Sequence, residues 1–432
     1  MKRRTYLATA GALTLGGCMG FGETDEPRGN DSNSSDPDGN ETGNGDGNGN
    51  GNGDGNGEGN GDGNGEGNGD GDVPTEAETF DDFEDLSDWQ VVSGSATPYT
   101  DYSVVGSQSV LLEASEEESQ VRIARELDEP LDVSEITPGL AVASHSTVNV
   151  GIQLYDETRD KVVYRQRTHG MSIRHVNFGV EYINGDPDLS AITEIHISIW
   201  VGDGTTEAWI DDLHFVPKPD PTVLLQFDGG YESHLTEAMP LLEEYGYSAT
   251  AFVPPSRLRA SEDDEGDRLT ADQVAELADA GWTIGSYGAL GNDLTALEGD
   301  RTPASEIEEA ATWLEDEGYD AEYVAYPGGA YNDEAIEAVE ANHELGFTGG
   351  YPVNGYLTNA ALCPRLVHPD GDEAREALET TAELGGITAI SFVRFDGGVG
   401  ELEATLGHVQ ELEEAGEIEV ITPQDVAGEY VL

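Results

Sequence analysis

The pattern of apolar and polar positions divides the chain into segments of different character. Residues 75–217 contain short runs in which apolar and polar residues alternate, such as 148–155 and 195–201. Because neighbouring side chains of a strand point to opposite faces, each run predicts a strand with one buried face. Turn signals at 184–187 and 202–204 separate the runs. Short strands joined in this way predict an all-β sandwich for this segment.

Residues 218–432 follow a different pattern, in which apolar strands alternate with amphipathic helices. Thr270 and Gln273 have the spacing of a capping box at a helix start. Glycine at the left-handed helix end predicts where the helices stop, at Gly246, Gly281, Gly318, Gly346, Gly385 and Gly416. Repeated strand–helix alternation predicts a parallel barrel, with its site just beyond the carboxyl ends of the strands. The residues at those ends are Asp228, Tyr287, Asp293, Pro327, His368, Asp370, Arg394 and Asp396.

Residues 1–22 have the layout of an export signal. A basic start with Arg3 and Arg4 precedes an apolar run shorter than the roughly 20 residues that span a bilayer. The arginine pair resembles a twin-arginine signal, and the run that ends at Cys18 resembles a lipobox, in which the cysteine receives lipid. We expect an exported protein that is lipid-anchored to the outer face of the cytoplasmic membrane. Cleavage beside a chance cysteine is the alternative.

Residues 23–74 form a low-complexity linker with almost no apolar side chains. From 43 to 72 glycine alternates with Asn, Asp or Glu. Such a segment has nothing to bury and cannot offset the entropy of ordering. We expect a disordered stalk between the anchor and the folded part.

The charge is strongly acidic throughout. The chain has 88 Asp and Glu against 19 Lys and Arg, for a net charge of −69. The acids are spread over every segment, a composition that resembles the proteome of salt-in halophilic archaea and keeps a protein hydrated where salt screens repulsion. The charge excludes nucleic acid as a partner, because its phosphates would be repelled.

Three runs of the C-terminal segment carry a family resemblance. Residues 227–230 read Phe-Asp-Gly-Gly, residues 281–287 read Gly-Trp-Thr-Ile-Gly-Ser-Tyr, and residues 325–329 read Ala-Tyr-Pro-Gly-Gly. In order and spacing they resemble the polysaccharide deacetylase family, the NodB-homology domain of carbohydrate esterase family 4. The resemblance implies a distorted (β/α) barrel and metal-dependent removal of N- or O-acetyl groups from glycans.

The chain departs from the family at the catalytic positions. Asp228 matches the family's general base, but the metal-binding positions are Gly229, Tyr287 and Gly291. The arginine that orients the base is matched by Ala325. A metal must lower the pKa of its bound water to make a nucleophile, and three protein ligands normally hold such an ion. We therefore expect no metal cofactor in the barrel and little or no deacetylation of the family type.

Other acids and histidines offer an alternative site at the same barrel face. They are Glu232, His234, Asp293, His368, Asp370 and Asp396. They would form either a rebuilt metal or acid–base site, or ordinary polar loops of an acidic protein. The second interpretation is preferred.

The ends of the sandwich segment resemble jelly-roll carbohydrate-binding modules, through Phe80 to Trp89 and Trp209 to Phe215. The resemblance implies that the first and last strands are neighbours and share a structural calcium. Its ligands would be Glu84 and Asp211, with Asp82 or Asp212 as alternatives, since hard oxygen ligands suit calcium. Solvated acids are the plainer explanation.

Polar faces of the predicted strands favour carbohydrate. Tyr155, Arg165 and Trp200 are candidates in the sandwich, and Asp293, His368 and Asp396 in the barrel. Aromatic rings stack on sugars, and arginine binds carboxylates with two hydrogen bonds. The alternative is that the arginines pair with surface carboxylates.

The sequence thus predicts an exported, two-domain carbohydrate-active protein that binds cell-surface polysaccharide. An active deacetylase with an altered site is the second hypothesis, and a structural envelope component is the third. Whether the chain is an enzyme stays open at this point.

Overall fold

The computed structural model describes residues 77–114, 120–200, 206–395 and 397–432. The signal with Cys18, the whole linker, Val201 and Asp396 lie outside the described residues. None of the described helices combines the length and hydropathy needed to cross a bilayer.

The described residues of the first half form twelve antiparallel strands in two sheets, with apolar residues packed between the sheets. One sheet has the order β3-β4-β12-β6-β9, with β1 also paired to β12, and the other has the order β10-β8-β7-β11-β5-β2. The strands are β1 Glu78–Asp81, β2 Gln90–Ser93, β3 Ser95–Tyr99, β4 Ser109–Ala114, β5 Gln120–Leu131, β6 Ile136–Ser144, β7 Val148–Asp156, β8 Lys161–Thr168, β9 Met171–Val176, β10 Gly179–Asn184, β11 Ile192–Trp200 and β12 Thr206–Pro217.

The predicted apolar face of β7 and β11 is buried, but the prediction of a single buried face is wrong, because Gln153 and Ser198 on the opposite face are buried too. Val150, Ile152 and Leu154 of β7 and Ile195 and Ile197 of β11 are buried in the core. The first and last strands, β1 and β12, pair side by side as expected. The region is therefore all-β and antiparallel, while its jelly-roll topology stays a prediction.

The second half is a parallel barrel. Its strand order is β14-β15-β16-β17-β18-β19-β13, and pairing of β13 with β14 closes a ring of seven strands, with β20 added beside β13. The elements are β13 Thr222–Asp228, α1 Met239–Tyr245, β14 Thr250–Val253, α2 Ala271–Asp279, β15 Thr283–Ser286, α3 Pro303–Glu317, β16 Tyr323–Ala325, α4 Asp333–Asn342, β17 Leu345–Gly349, β18 Cys363–Val367, α5 Gly371–Leu384, β19 Ile387–Phe392, α6 Gly400–Ala415, β20 Glu419–Val420 and α7 Pro423–Glu429.

Helix ends follow the predicted chemistry at most joints. The capping box of Thr270 and Gln273 begins α2, and left-handed glycines end α1, α3 and α6 at Gly246, Gly318 and Gly416. Gly346 was predicted as a helix stop, and this is wrong. It lies inside β17, where an added Cβ would overlap the carbonyl oxygen of Ala361. A close backbone approach, rather than a turn, explains this glycine.

The two halves belong to one compact unit and share a continuous buried core. Asn177, after β9, donates from Nδ2 to the carbonyl oxygens of Asn359 and Leu362, both at 2.8 Å, and accepts from the Thr358 N–H at 2.9 Å. Glycine permits the close contact, because a Cβ on Gly179 would overlap the Pro352 carbonyl. We call this region, residues 174–180 against 350–362, the seam.

Candidate functional site

Asp228 lies at the carboxyl end of β13, where the barrel pattern placed it. It is 2% exposed. Arg365 of β18 donates from Nη1 and Nη2 to the two carboxylate oxygens, at 2.8 and 2.6 Å. Burial raises the pKa of Asp228, and the guanidinium charge acts in the opposite direction. Both oxygens face a permanent cation, so the carboxylate is committed to an internal ion pair.

The positions that match the family's metal ligands are arranged around this pair. Gly229 has a left-handed backbone, with φ 92°, and a Cβ there would stand 2.8 Å from Arg268 Nη1 and 2.9 Å from the Tyr231 ring. Gly291, with φ 64°, would place its Cβ 3.1 Å from the ring of Tyr287. The space that a ligand side chain would need at Gly229 is therefore taken by Arg268 and Tyr231.

Tyr287 is another of the positions that the resemblance matches to metal ligands. Its hydroxyl accepts a hydrogen bond from the Gly328 N–H at 3.3 Å. Burial raises the pKa of Tyr287, and the nearby Asp228 charge adds to the shift. The phenol is therefore neutral near neutral pH, and a neutral phenol is a weak metal ligand.

A cationic–aromatic group lies beside Asp228 at the barrel mouth. The Arg268 guanidinium stacks 3.7 Å from the centre of the Tyr231 ring, and Arg394 lies 5.6 Å from the same centre. Arg268 also donates to the Gly229 carbonyl and, at 2.9 Å, to the Tyr231 hydroxyl. Arg394 donates to Asp267 at 2.8 Å. We call Tyr231, Arg268 and Arg394 the mouth cluster.

The polar residues of the alternative barrel site mostly hold the loops. Asp293 accepts from the N–H and hydroxyl of Thr295, and Asp370 caps α5. Glu232 pairs with Arg259 at 2.6 Å. These hydrogen bonds are the ordinary loop chemistry that the sequence favoured.

The histidines of that set differ in environment. His234 is fully buried, its Nε2 donates to the Val393 carbonyl at 2.5 Å, and burial lowers its pKa to about 4. His368 is exposed, with a left-handed φ of 50°. Asp396, the last of the set, lies outside the described residues.

The sandwich candidates are spread along one sheet. Trp200 is 50% exposed, whereas Tyr155 is buried and its hydroxyl donates to Gln153 at 2.7 Å. Across β11, Tyr155 faces Glu194, six residues from Trp200, or about 20 Å along a strand. Arg165 pairs with Glu181 at 2.8 Å. Trp200 is therefore the candidate whose ring is accessible to a sugar. Arg165 pairs with a carboxylate of the protein, which is the alternative to sugar binding.

The two expected calcium ligands bind backbone N–H groups. Glu84 accepts from Ser107 and Gln108 at 2.5 and 3.0 Å, and Asp211 Oδ2 accepts from Val104 at 2.6 Å. Both carboxylates thus fix the backbone of the loop 104–108, which precedes β4. The calcium site stays a prediction. Among the described residues, the one group of three ligand side chains close enough for a metal is His175, Asp212 and His214.

Sequence reasoning missed Arg365, Arg268 and Tyr231. Arg365 is the residue that could have been found, because a lone arginine in the apolar strand β18 must have a buried partner. Arg268 comes from the loop before α2, and no local pattern relates it to Gly229. Its approach depends on the packing of the barrel.

Solved structures with similar chain segments include three deacetylase-related proteins. The Streptococcus pyogenes deacetylase PplD in complex with acetate is 23% identical over 33% of this chain and 62% of that chain, with a TM-score of 0.29. The CE4 domain of a multidomain xylanase from the hindgut metagenome of Trinervitermes trinervoides is 14% identical over 49% and 91%, with a TM-score of 0.35. A mutant CE4 pseudoenzyme with restored activity is 14% identical over 49% and 70%, with a TM-score of 0.34.

Sequence comparison is more specific. Residues 215–349 match the family model "Polysaccharide deacetylase". A curated relative, "Putative polysaccharide deacetylase YxkH" of Bacillus subtilis (strain 168), is 31% identical over 137 residues, which are 30% of this chain and 46% of the relative. The chain therefore matches about half of that relative's length. Residues 215–349 are therefore similar to the polysaccharide deacetylase family, and the closed parallel barrel of this half agrees with that similarity.

Proposed function

We propose that this chain is a cell-surface glycan-binding protein whose deacetylase domain performs little or no metal-dependent deacetylation. The observation that supports it is the internal ion pair of Asp228 with Arg365. A general base must reach the proton that it removes. This carboxylate instead has both oxygens occupied by Arg365 and is buried.

The residues present do not fit the metal that the family implies. Such an ion needs about three protein donors and an open position for water. Two of the three positions are glycines, which supply no side-chain donor, and the third is the neutral Tyr287. Arg268 Nη1 would lie 2.8 Å from a Cβ at Gly229, so its positive charge stands beside one of the three positions and would repel a cation held there.

The mouth cluster suits a sugar with an acidic group. Guanidinium groups bind carboxylates with directed hydrogen bonds, and an aromatic ring offers an apolar face to a sugar. Arg394 is exposed at the mouth, and His368 lies on the exposed loop after β18. Trp200 offers a second stacking surface on the sandwich.

The test measures catalysis and binding on the same full-length protein in high salt. We expect no acetate release from acetylated amino-sugar oligomers, and measurable binding to acidic envelope polysaccharide by calorimetry. Arg394→Gln should weaken binding to the acidic polymer and leave binding to a neutral glucan unchanged.

The other hypotheses are outcomes of this test. Acetate release that a chelator abolishes would identify an active deacetylase with an altered site and overturn the proposal. Absence of binding to every envelope polysaccharide would favour a structural envelope role. Export and lipid anchoring belong to the proposal through Arg3, Arg4 and Cys18.

A further inference from the structure

A group of two histidines and one aspartate lies in the sandwich, away from the barrel mouth. His175 is on β9, and Asp212 and His214 are on β12. His175 Nε2 lies 2.8 Å and His214 Nδ1 lies 3.5 Å from the same oxygen, Asp212 Oδ2. All three ligand atoms lie within 4.8 Å of one another.

The backbone is shaped to bring these side chains together. The register of β12 against β6 shifts between Asp211 and His214, and Asp212 has a left-handed φ of 45°. A bulge of this kind re-aims a side chain. Gly139 of β6 completes the arrangement, because a Cβ there would overlap the His214 ring.

A hydrogen bond from Thr79 fixes the orientation of the Asp212 carboxylate. Thr79 of β1 donates to Asp212 Oδ1 at 2.7 Å, which leaves Oδ2 directed at the two imidazoles. The oxygen that a metal would bind therefore faces both histidines, while the other oxygen is held by Thr79.

We infer that His175, Asp212 and His214 bind one transition-metal ion of the Zn²⁺ class. Two ligands at about 2.0–2.1 Å from a tetrahedral ion stand about 3.3 Å apart. The observed separations of 2.8 and 3.5 Å lie on either side of that value, and the widest of the three separations, within 4.8 Å, shortens when the ion binds. Two imidazoles with one carboxylate select zinc, copper or nickel over calcium and magnesium. Thr79 acts as the outer partner that orients the carboxylate.

The fourth position opens beside His175, whose side chain is 29% exposed, whereas His214 is 1% exposed. In the structure His214 Nδ1 donates to the backbone carbonyl oxygen of Asp212 at 2.8 Å. A metal on Nδ1 replaces this proton, and the ring's proton then lies on Nε2, which has no hydrogen-bond partner among the described residues. His214 lines a cavity of about 10 Å³ at the seam, about the space of one water that could accept this proton's hydrogen bond.

The test loads metal into the full-length protein after chelation. Zinc is added in high salt with excess Mg²⁺, so that surface carboxylates hold the harder ion, and the retained zinc is counted after dialysis. We expect one zinc per chain and, with Co²⁺, the visible absorption bands of a four-coordinate ion. The melting temperature should rise on loading.

Three variants distinguish a built site from surface binding. His175→Gln should weaken zinc affinity at least tenfold, and Thr79→Val about tenfold, as for loss of an outer partner. The control is His145→Gln, since His145 is exposed near the carboxylate of Glu207, and it should keep wild-type affinity. The inference would be overturned if the wild type retained no zinc, or if His175→Gln retained as much zinc as the wild type. Either result would show that the three side chains form a hydrogen-bonded group only.

Discussion

Arg365 and Asp228 form a two-bond ion pair between β18 and β13, closed inside the barrel. The same Arg365 Nη1 also donates to Gln226 at 2.9 Å. Because the pair is almost fully removed from water, each partner depends on the other for its charge. The pair lies at the position that the family resemblance matches to the general base.

The first prediction concerns the dependence of the buried Asp228 on its partner Arg365. Arg365→Met should destabilise the protein by about 3–5 kcal/mol, because it leaves a buried carboxylate without a partner. Denaturant unfolding in high salt measures the change. Arg394→Gln is the control, since its pair with Asp267 is half exposed and should cost less than about 1 kcal/mol. Equal losses in the two variants would contradict the buried-pair interpretation.

The second prediction concerns restoration of the metal. The triple change Gly229→Asp, Tyr287→His and Gly291→His supplies the family's ligands, but we expect no stoichiometric metal. Gly229 and Gly291 are left-handed, so each substitution carries about 1–2 kcal/mol of strain, and Arg268 occupies the new carboxylate's space.

The comparison that isolates Arg268 adds Arg268→Ala to the triple change. Metal analysis should show a gain only in this fourfold variant. Metal bound by the triple variant alone would mean that Arg268 does not block the site.

The third prediction concerns the exposed tryptophan. In the full chain, Trp200→Ala should weaken binding of acidic polysaccharide by about 1–3 kcal/mol, the scale of lost stacking on a planar ligand. Calorimetry in high salt measures it. Tyr182→Ala is the matched control, because Tyr182 is also exposed, on the edge strand β10. An equal loss in both variants would argue against a specific contact at Trp200.

The fourth prediction concerns the anchor. The wild-type protein should partition with membranes, and Cys18→Ala should release it or block its maturation. The control is Cys363→Ala, at a buried thiol whose pKa is raised by burial. A Cys18→Ala protein that stays membrane-bound at the wild-type level would exclude the lipid anchor.

The fifth prediction concerns pH. Burial lowers the pKa of His343 from 6.5 to about 4. Between these values the unfolded chain binds a proton that the folded chain does not, so this contribution is complete above about pH 6.5 and is lost as pH falls toward 4. At pH 5 the loss is about 2 kcal/mol. His343→Gln should therefore flatten the fall in melting temperature between pH 7 and 5, while His145→Gln should keep the wild-type slope.

The sequence predicted the barrel and the placement of Asp228, because strand–helix alternation and strand ends are local features. It also predicted the buried apolar face of β7 and β11, but it missed that the polar face of these strands is buried as well. It misplaced Gly346, since a glycine that permits close packing and one that ends a helix look alike in sequence. It could not place Arg268 against Gly229, or Asp212 beside His175, because these contacts join strands and loops that are distant along the chain.

The seam has a consequence for long polymers. Asn177 and Gly179 hold the sandwich against the barrel through hydrogen bonds and close backbone contact. The two halves therefore do not move independently of each other. A polymer that touches Trp200 and the mouth cluster meets them at a fixed separation, and its second contact forms without a new loss of translational freedom. Such an arrangement favours polymers long enough to contact both surfaces. Polymers too short to reach from one surface to the other bind through one of them alone.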